Sequence, residues 1–370
     1  MTTTRYGTNG ADRLAFTIDD LWLSTGLGDD AIYSTGWRAI IDAGDGADAI
    51  TVKGGSATVY GGAGADRLFL QGTGGRFDAG ADDDRIEAAN SRATLIGGAG
   101  NDVVVASAGV YVIDAGVGAD TVAVSFSQAT VRTGYGADTI SISDSSFWLD
   151  AGPDNDIMTV VRGSGSIFLG VGNDTLSVTD SKLNADAGAG ADVITIVNSE
   201  GVIEAGLGAD RVVVKSGNCT VRGGDGADVV VSQSGASLLD GGAGDDFLTC
   251  VAGNATLKGG AGVDTMTGGL NNQMFWYDAL DGSLDIVRQF VRGQDHMAFT
   301  AASLGMAAGT VFQASMFSLG AAVGTQAQFV FNPTTSILSF DADGTGAGAA
   351  KAVAKMAGLT TMSAGDIWIV

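Results

Sequence analysis

The chain has 370 residues, including 59 Gly, 2 Pro and 2 Cys, and its formal net charge is −23. A chain this acidic repels phosphates, which argues against nucleic acid and anionic lipid as partners. No stretch is long and apolar enough to predict a transmembrane segment, and residues 1–6 have no basic start followed by an apolar run, so we expect no Sec signal peptide.

One turn recurs every eighteen residues from near the N-terminus to Asp264. A fixed period of this kind indicates an architecture in which each unit contacts only its neighbours. We therefore expect an all-β, right-handed parallel β-roll, or β-solenoid, of about fifteen coils. The aspartates that end the turn are Asp12, Asp30, Asp48, Asp66, Asp84, Asp102, Asp120, Asp138, Asp156, Asp174, Asp192, Asp210, Asp228, Asp246 and Asp264.

Two aliphatic columns follow each turn aspartate, at two and at eleven residues after it. The first runs from Leu14 and Ile32 to Met266, and the second from Leu23 and Ile41 to Leu257. The flanking positions are mostly polar, so side chains alternate with a period of two. Each coil is predicted to contain two short strands that point these columns into a core.

The two reversals in each coil differ in chemistry. A glycine precedes each turn aspartate by four residues without exception from Gly26 to Gly260, which predicts a positive φ or a close backbone contact. A second glycine follows two residues later except at Asp82 and Asp154, and Asp tolerates left-handed geometry. The opposite turn lacks the aspartate, so only one side of the roll is predicted to bind cations.

Main-chain carbonyls and one carboxylate per coil would form an all-oxygen cage, which suits Ca²⁺. Parallel strands lie about 4.8 Å apart, so neighbouring turn aspartates repel each other unless a cation separates them. The fifteen turns leave fourteen gaps, which predicts about one ion per gap with all fifteen aspartates as ligands. The alternative for any single copy is an ordinary turn capped by its own side chain.

Five turns in particular resemble the nonapeptide of the repeats-in-toxin (RTX) family: GGAGAD at 61–66, GGAGND at 97–102, GGDGAD at 223–228, GGAGDD at 241–246 and GGAGVD at 259–264. The resemblance implies a parallel β-roll with Ca²⁺ in the turns over roughly residues 7–269. Only alternate nonapeptides keep the Gly/Asp turn, so it implies one row of ions where the fullest members have two.

A second acidic series has a period of thirty-six residues. Asp42, Asp78, Asp114, Asp150 and Asp186 precede the turn in every second coil. Either the roll grew by duplication of a two-coil unit, or these carboxylates form a sparser second set of sites.

The eighteen-residue period fails after residue 267, so we expect a β-roll over residues 1–267 and a small mixed capping domain over residues 268–370. Residues 328–331 and 337–340 are predicted to form a hairpin, and 349–357 a helix. The run FDADGTGAG at 340–348 and the apolar ending DIWIV at 366–370 are similar to the terminal domain of serralysin-type proteins. The resemblance implies a cap that carries a type I secretion signal. Asp341 and Asp343 could add a Ca²⁺ site or form a solvated turn, and Asp285 and Asp295 are expected to be structural.

Few other residues suggest chemistry. His296 is the only histidine, and no pair of Glu residues has a spacing typical of glycoside hydrolysis, so we expect no enzyme. Cys219 and Cys250 fall in inward columns and are predicted to be buried free thiols. We also expect no catalytic domain before the roll, because the repeat begins within the first dozen residues.

These patterns predict a secreted Ca²⁺-binding structural protein on the surface of a Gram-negative cell, as a surface-layer, matrix or adhesive element. Its partners would be calcium, the type I secretion machinery and other copies of itself in a sheet or filament. The alternative is an accessory protein that binds or modifies cell-surface polysaccharide. An ice-binding role is disfavoured because the turns carry no Thr array.

Overall fold

The computed structural model describes residues 3–235 and 237–370, and it is all β with three short 3-10 helices in the described ranges. The chain divides into two compact units, residues 1–188 and 189–370, and the strand Lys182–Ala189 contains the boundary between them. Both units are parallel β-solenoids in which each coil supplies one strand to each of two sheets. The predicted fold class is confirmed.

In the first unit, strands of successive coils pair in parallel with an offset of eighteen residues, as when Arg85 lies opposite Val103. The first sheet contains Thr3–Tyr6, Leu21–Ser24, Ala39–Asp45, Ser56–Ala63, Gly74–Ala81, Arg92–Ala99, Val110–Val117, Gln128–Tyr135, Ser146–Pro153 and Ser164–Val171. The second sheet contains Arg13–Phe16, Ala31–Ser34, Ala49–Lys53, Arg67–Gln71, Arg85–Ala89, Val103–Ser107, Thr121–Ser125, Thr139–Ser143, Ile157–Val161 and Thr175–Thr179.

In the second unit the same pattern continues and then changes. One sheet contains Ser199–Leu207, Gly217–Asp225, Ser237–Ala243, Ala255–Ala261, Gln273–Tyr277, His296–Phe299 and Ile367–Ile369, all parallel. The other contains Val193–Val197, Arg211–Val214, Val229–Ser232, Phe247–Cys250, Thr265–Thr267, Asp285–Arg288, Lys351–Ala357, Ile337–Asp341, Gln328–Asn332 and Phe317–Leu319. The 3-10 helices are Ala302–Leu304, Ala314–Met316 and Ala364–Asp366.

The C-terminal strands are mixed in direction. Gln328–Asn332 and Ile337–Asp341 form the predicted antiparallel hairpin. The helix predicted over 349–357 is wrong, because Lys351–Ala357 is a strand. It pairs in parallel with Asp285–Arg288 and antiparallel with Ile337–Asp341, and this pairing on both edges outweighs the helix propensity of its Ala and Lys residues.

The core of each coil contains more than the two predicted columns. Both aliphatic columns are buried from Ile32 and Leu23 onward, as predicted. The turn aspartate itself and the positions four, nine and thirteen residues after it also point inward. The coil that begins at Asp102 shows all six, since Asp102, Val104, Ala106, Tyr111, Ile113 and Ala115 are buried. The turn aspartate is therefore itself a member of the core.

Both cysteines are buried and free, as predicted. Burial raises the pKa of the Cys219 thiol to about 11, so this thiol is protonated and unreactive at neutral pH.

Candidate metal centre

The turn aspartates point into the turn. In the first unit, Asp30, Asp48, Asp66, Asp84, Asp102, Asp120, Asp138, Asp156 and Asp174 are between 1% and 3% exposed, whereas Asp12 is half-buried. In the second unit, Asp192, Asp210, Asp228, Asp246 and Asp264 are at most 2% exposed. Carboxylates are rarely buried so completely without a partner of opposite charge.

A hydrogen-bond ladder joins consecutive turn aspartates. The main-chain amide of each donates to Oδ1 of the aspartate one coil later, at 2.7 Å from Asp66 to Asp84 and 2.8 Å from Asp102 to Asp120. In the second unit the same bond runs at 2.8 Å from Asp210 to Asp228. Because one oxygen is fixed to the neighbouring coil, the orientation of the carboxylate is set.

The other carboxylate oxygen lacks a hydrogen-bond partner through much of the row. This is true of Oδ2 in Asp30, Asp48, Asp66, Asp84, Asp102, Asp120, Asp138 and Asp156 of the first unit, and in Asp210, Asp228, Asp246 and Asp264 of the second. A buried acceptor without a donor costs roughly 1–3 kcal/mol, and more when it is charged. The row therefore presents oxygen atoms that require a cation or a proton.

The first glycine of the turn makes room beside this oxygen. A Cβ on Gly61 would collide with Oδ2 of Asp66, and a Cβ on Gly259 would collide with Oδ2 of Asp264. Several coils carry Ala at this position instead, such as Ala43, so the space beside the carboxylate is not equal in all coils.

The glycine four residues before each aspartate is required both because its φ is positive and because it contacts the backbone of the neighbouring coil. Gly98 has φ of +119°, and a Cβ there would collide with the carbonyl oxygen of Gly80 in the preceding coil. The two exceptions in the next glycine column behave as expected, since Asp82 and Asp154 adopt φ of 78° and 85°. The backbone of each turn therefore lies directly against the carbonyl of the turn one coil earlier.

Burial dominates the electrostatics of the row. Together with a smaller contribution from the neighbouring carboxylates, it raises the pKa of Asp84 to about 8 and that of Asp66 to about 7, although the amide that donates to each carboxylate opposes the rise. The pKa of Asp246 is raised to about 7 for the same reasons. Without a counter-charge, part of the row would therefore be protonated near neutral pH.

The donor set is restricted to oxygen. Among residues 3–235 and 237–370, no three His, Cys, Asp or Glu side chains converge on one point. A bound ion would therefore take carboxylate oxygens from the ladder and complete its shell with main-chain carbonyls or water. Hard oxygen ligands with a small number of carboxylates suit Ca²⁺. The unpartnered Oδ2 atoms and the space beside them fit such an ion.

The other acidic residues singled out in the sequence lie elsewhere. Asp42, Asp78, Asp114, Asp150 and Asp186 belong to the outward face of their sheet and do not join the turn row. Asp78 instead forms an ion pair with Arg76 at 2.8 Å. In the C-terminal region, Oδ1 of Asp341 accepts from the amide of Asp343, and Oδ2 of Asp343 accepts from that of Gly348, as in a locally capped turn.

Comparison with known families agrees with this geometry. The family described as RTX calcium-binding nonapeptide repeat (4 copies) matches residues 42–73, 92–122, 222–249 and 240–272. The chain is an RTX β-roll protein. The matched segments of this RTX protein contain all five of the turns with two leading glycines, including Gly61–Asp66 and Gly259–Asp264. RTX repeats of this type bind calcium. No curated protein matches the chain.

Asp285, which the sequence predicts to be structural, extends the row of turn aspartates. The amide of Asp264 donates to Oδ1 of Asp285 at 3.0 Å, so the ladder continues one step beyond the repeat. The spacing is twenty-one residues instead of eighteen, which is why a search for a fixed period misses it.

Proposed function

We propose that this RTX protein binds Ca²⁺ along the row from Asp12 to Asp264, with about one ion in each gap between successive turns. The observation that carries the proposal is the series of buried Oδ2 atoms without hydrogen-bond partners. Ions at these positions would supply the missing partners. One ion in each of the fourteen gaps would bring +28 against the formal charge of −23. They would thus remove most of the repulsion within the chain.

Binding and folding are coupled in this proposal. Since the cage exists only when successive coils are stacked, the binding free energy of each ion adds to the free energy of folding. Extracellular modules typically bind Ca²⁺ with Kd of about 10⁻⁴ to 10⁻³ M. A chain with such sites is unfolded in cytoplasm and folds after export.

The C-terminal region, residues 268–370, would cap the roll of residues 1–267 and carry the signal for type I secretion from a Gram-negative cell. The resemblance of this region to serralysin-type terminal domains supports this role. In the described ranges the structure contains no helix with the length and apolarity of a membrane span.

The folded protein would serve as a structural element of the cell surface: a surface layer, a matrix or an adhesin. RTX β-rolls are typically structural, and the hydrogen-bond ladder between described turn aspartates, which joins neighbouring coils, supports such a role. Self-association into sheets or filaments would be mediated by the outward faces.

Circular dichroism and electron microscopy test this function together. In EGTA we expect a coil spectrum, and on addition of millimolar Ca²⁺ a β spectrum with sheets or filaments visible by electron microscopy. A β spectrum that is unaffected by chelator would refute coupled folding. A monodisperse monomer in Ca²⁺ that never associates with cells would refute the surface role.

A second candidate function is polysaccharide binding, favoured by aromatic and Arg side chains on the outward face of the first unit. The guanidinium of Arg132 lies 5.1 Å from the ring centroid of Trp148, whose own centroid is 5.8 Å from that of Phe168. Arg76 lies 5.7 Å from the ring of Tyr60 in the same way. Flat aromatic rings beside charged groups are suited to stacking on acidic sugars.

A pull-down with immobilised alginate, compared with uncharged dextran, tests this second function. Trp148→Ala should reduce retention on alginate, whereas Trp37→Ala, which removes an exposed ring in another part of the same unit, should not. Equal retention of the two variants and the unchanged protein would exclude the Trp148 cluster as the binding surface.

A further inference from the structure

Trp368 borders two cavities at the surface of the second unit. Its side chain, which is 43% exposed, lines a cavity of about 510 Å³ together with Val311 and Phe312. The same side chain lines another cavity of about 230 Å³ together with His296 and Asn272. Ligand pockets in proteins usually have volumes of about 300–1,000 Å³. Because the two cavities meet at one indole ring, they offer room for a ligand that extends over both.

The indole of Trp368 is held in place by the imidazole of His296. Their ring centroids lie 3.7 Å apart, and the two rings are inclined by 30°. The strands that carry them, His296–Phe299 and Ile367–Ile369, pair in parallel, so main-chain hydrogen bonds fix their spacing. Trp368 therefore presents a flat ring of defined position at the junction of the two cavities, and a ligand that stacks on it would not have to order it first.

The smaller cavity has a polar wall that contains Asn254, Thr256 and Asn272. Oδ1 of Asn254 accepts from the main-chain amide of Asn272 at 3.2 Å. Within residues 3–235 and 237–370, the side-chain amide of Asn272 and the hydroxyl of Thr256 form no hydrogen bond. These groups can both donate and accept, so they are available to a ligand that carries hydroxyl groups.

Buried Gln273 supports this polar wall from behind. Its Nε2 donates to the carbonyl of Gly253 at 2.9 Å and to that of Leu270 at 3.0 Å. Gln273 itself is only 1% exposed. Its amide thus joins the segment before Asn254 to the segment before Asn272, and the two asparagines are positioned by bonds inside the protein.

No Asp, Glu, Lys or Arg side chain lines either cavity in the described ranges. In a chain with a formal charge of −23, such an uncharged surface disfavours ions and acidic sugars as ligands. A neutral sugar fits the chemistry that is present. Its apolar C–H face can pack on an indole ring, while its hydroxyl groups exchange hydrogen bonds with amide and hydroxyl side chains.

We propose that Trp368 and the two cavities beside it bind a neutral polysaccharide, with one sugar stacked on the indole and its neighbours in the cavities. A chain is favoured over a single sugar because two cavities border the same ring. This site goes beyond the proposed Ca²⁺ row. It also differs from the Trp148 cluster of the first unit, where the guanidinium of Arg132 favours acidic sugars.

Isothermal titration calorimetry of the full chain in millimolar Ca²⁺ tests the site. The neutral probes are cellohexaose, chitohexaose, laminarihexaose and maltohexaose, and an alginate hexasaccharide is the acidic probe. We expect at least one neutral probe to bind, and Trp368→Ala to weaken that binding roughly tenfold or more because the stacking surface is lost. Trp148→Ala is the matched control and should leave the affinity for the neutral probe unchanged.

A second variant separates binding from stability, since Trp368→Ala also removes the ring that contacts His296. Asn272→Ala shortens an exposed side chain that has no hydrogen-bond partner in the described ranges. It should weaken binding of the same probe about three- to tenfold while leaving the Tm unchanged. Failure of all four neutral probes to bind would overturn the proposal, as would equal affinities in Trp368→Ala, Asn272→Ala and the unchanged protein.

Two further results would assign the surface around Trp368 to another ligand. Binding of the alginate hexasaccharide that is lost in Trp368→Ala would overturn the choice of a neutral sugar. A concentration-dependent dimer in sedimentation velocity that is lost in Trp368→Ala would show that a second copy of the chain occupies this surface. Circular dichroism tests the proposed Ca²⁺ row separately, so failure of that proposal is distinguishable from failure of this one.

Discussion

The amide of Asp66 donates to Oδ1 of Asp84 at 2.7 Å, while Oδ2 of Asp84 is buried and has no partner. One half of the carboxylate thus joins two coils, and the other half carries charge that the protein does not neutralise. This division explains how one side chain can stabilise the stacking of coils and oppose it at the same time. The balance depends on what occupies the space beside Oδ2.

Replacing one aspartate in the middle of the row should have opposite effects with and without calcium. Asp120→Asn keeps an oxygen for the Asp102 amide but removes a buried charge, so in EGTA it should favour the folded roll. In Ca²⁺ it removes a ligand, and the Ca²⁺ concentration at half-folding should rise several-fold. Circular dichroism titrations measure both effects. Asp114→Asn, on the exposed face of the preceding coil, should change neither, and a loss equal to that of Asp120→Asn would assign Ca²⁺ ligation to the second acidic series.

Acid should fold the metal-free roll. Burial raises the pKa of Asp84 to about 8 and of Asp156 to about 7 from the ordinary value of 3.8, so the folded form binds more protons than the unfolded form between these values. The free energy of unfolding is therefore highest below about pH 3.8 and falls as the pH rises from there to about 8. In EGTA, β structure should appear as the pH is lowered from about 8 to 5. A spectrum that is constant over this range would contradict the expected shifts.

The glycine four residues before each turn aspartate should not tolerate an added methyl group. Gly98→Ala forces a non-glycine residue to φ of +119° and drives its Cβ into the Gly80 carbonyl, so it should destabilise the calcium-loaded protein by about 3 kcal/mol or more. Gly72→Ala is the control, because Gly72 has φ of +61° with no heavy atom within 4 Å of its added Cβ, and it should cost about 1 kcal/mol. Urea denaturation in Ca²⁺ measures both, and equal costs would show that close contact between coils is unimportant.

Tyr111 should contribute through its hydroxyl as well as its ring. The hydroxyl donates to the carbonyl of Ser107 at 2.7 Å and accepts from the amide of Ser91 at 3.3 Å inside the opposite turn. Tyr111→Phe leaves the buried Ser91 amide without this acceptor, whereas the Ser107 carbonyl still accepts from the amide of Asn90, so the variant should lower the free energy of unfolding by about 1–3 kcal/mol. Tyr135→Phe changes a residue that is 65% exposed and should have almost no effect in the same denaturation experiment.

The regular part of the fold could be predicted from the sequence because one rule repeats. An aliphatic residue at a fixed offset in every coil requires a core, and a glycine at a fixed offset requires a close turn. The sequence could not show that the core has room for the ring of Tyr111 between Ala93 and Ala129. That room depends on the space left by the neighbouring coils. The burial of the turn aspartates also went beyond the sequence pattern, since a carboxylate in a turn is ordinarily solvated.

Three features were missed for identifiable reasons. Asp285 is displaced by three residues from the period, and only its hydrogen bond with Asp264 reveals its place in the row. The strand Lys351–Ala357 has the composition of a helix, and its partners are distant in sequence. At the opposite turn, Ala108, Phe126 and Arg162 all adopt φ near +50°, a conformation that their residue types do not suggest.

The constant register between coils affects how such a gene can change. Because Arg85 lies opposite Val103 and Val103 opposite Thr121, excision of residues 85–120 would bring Thr121 next to Arg67 with every turn intact. Recombination between misaligned repeats can therefore lengthen or shorten the encoded protein by whole coils. Selection can therefore change the number of coils in the protein without any new interface between coils.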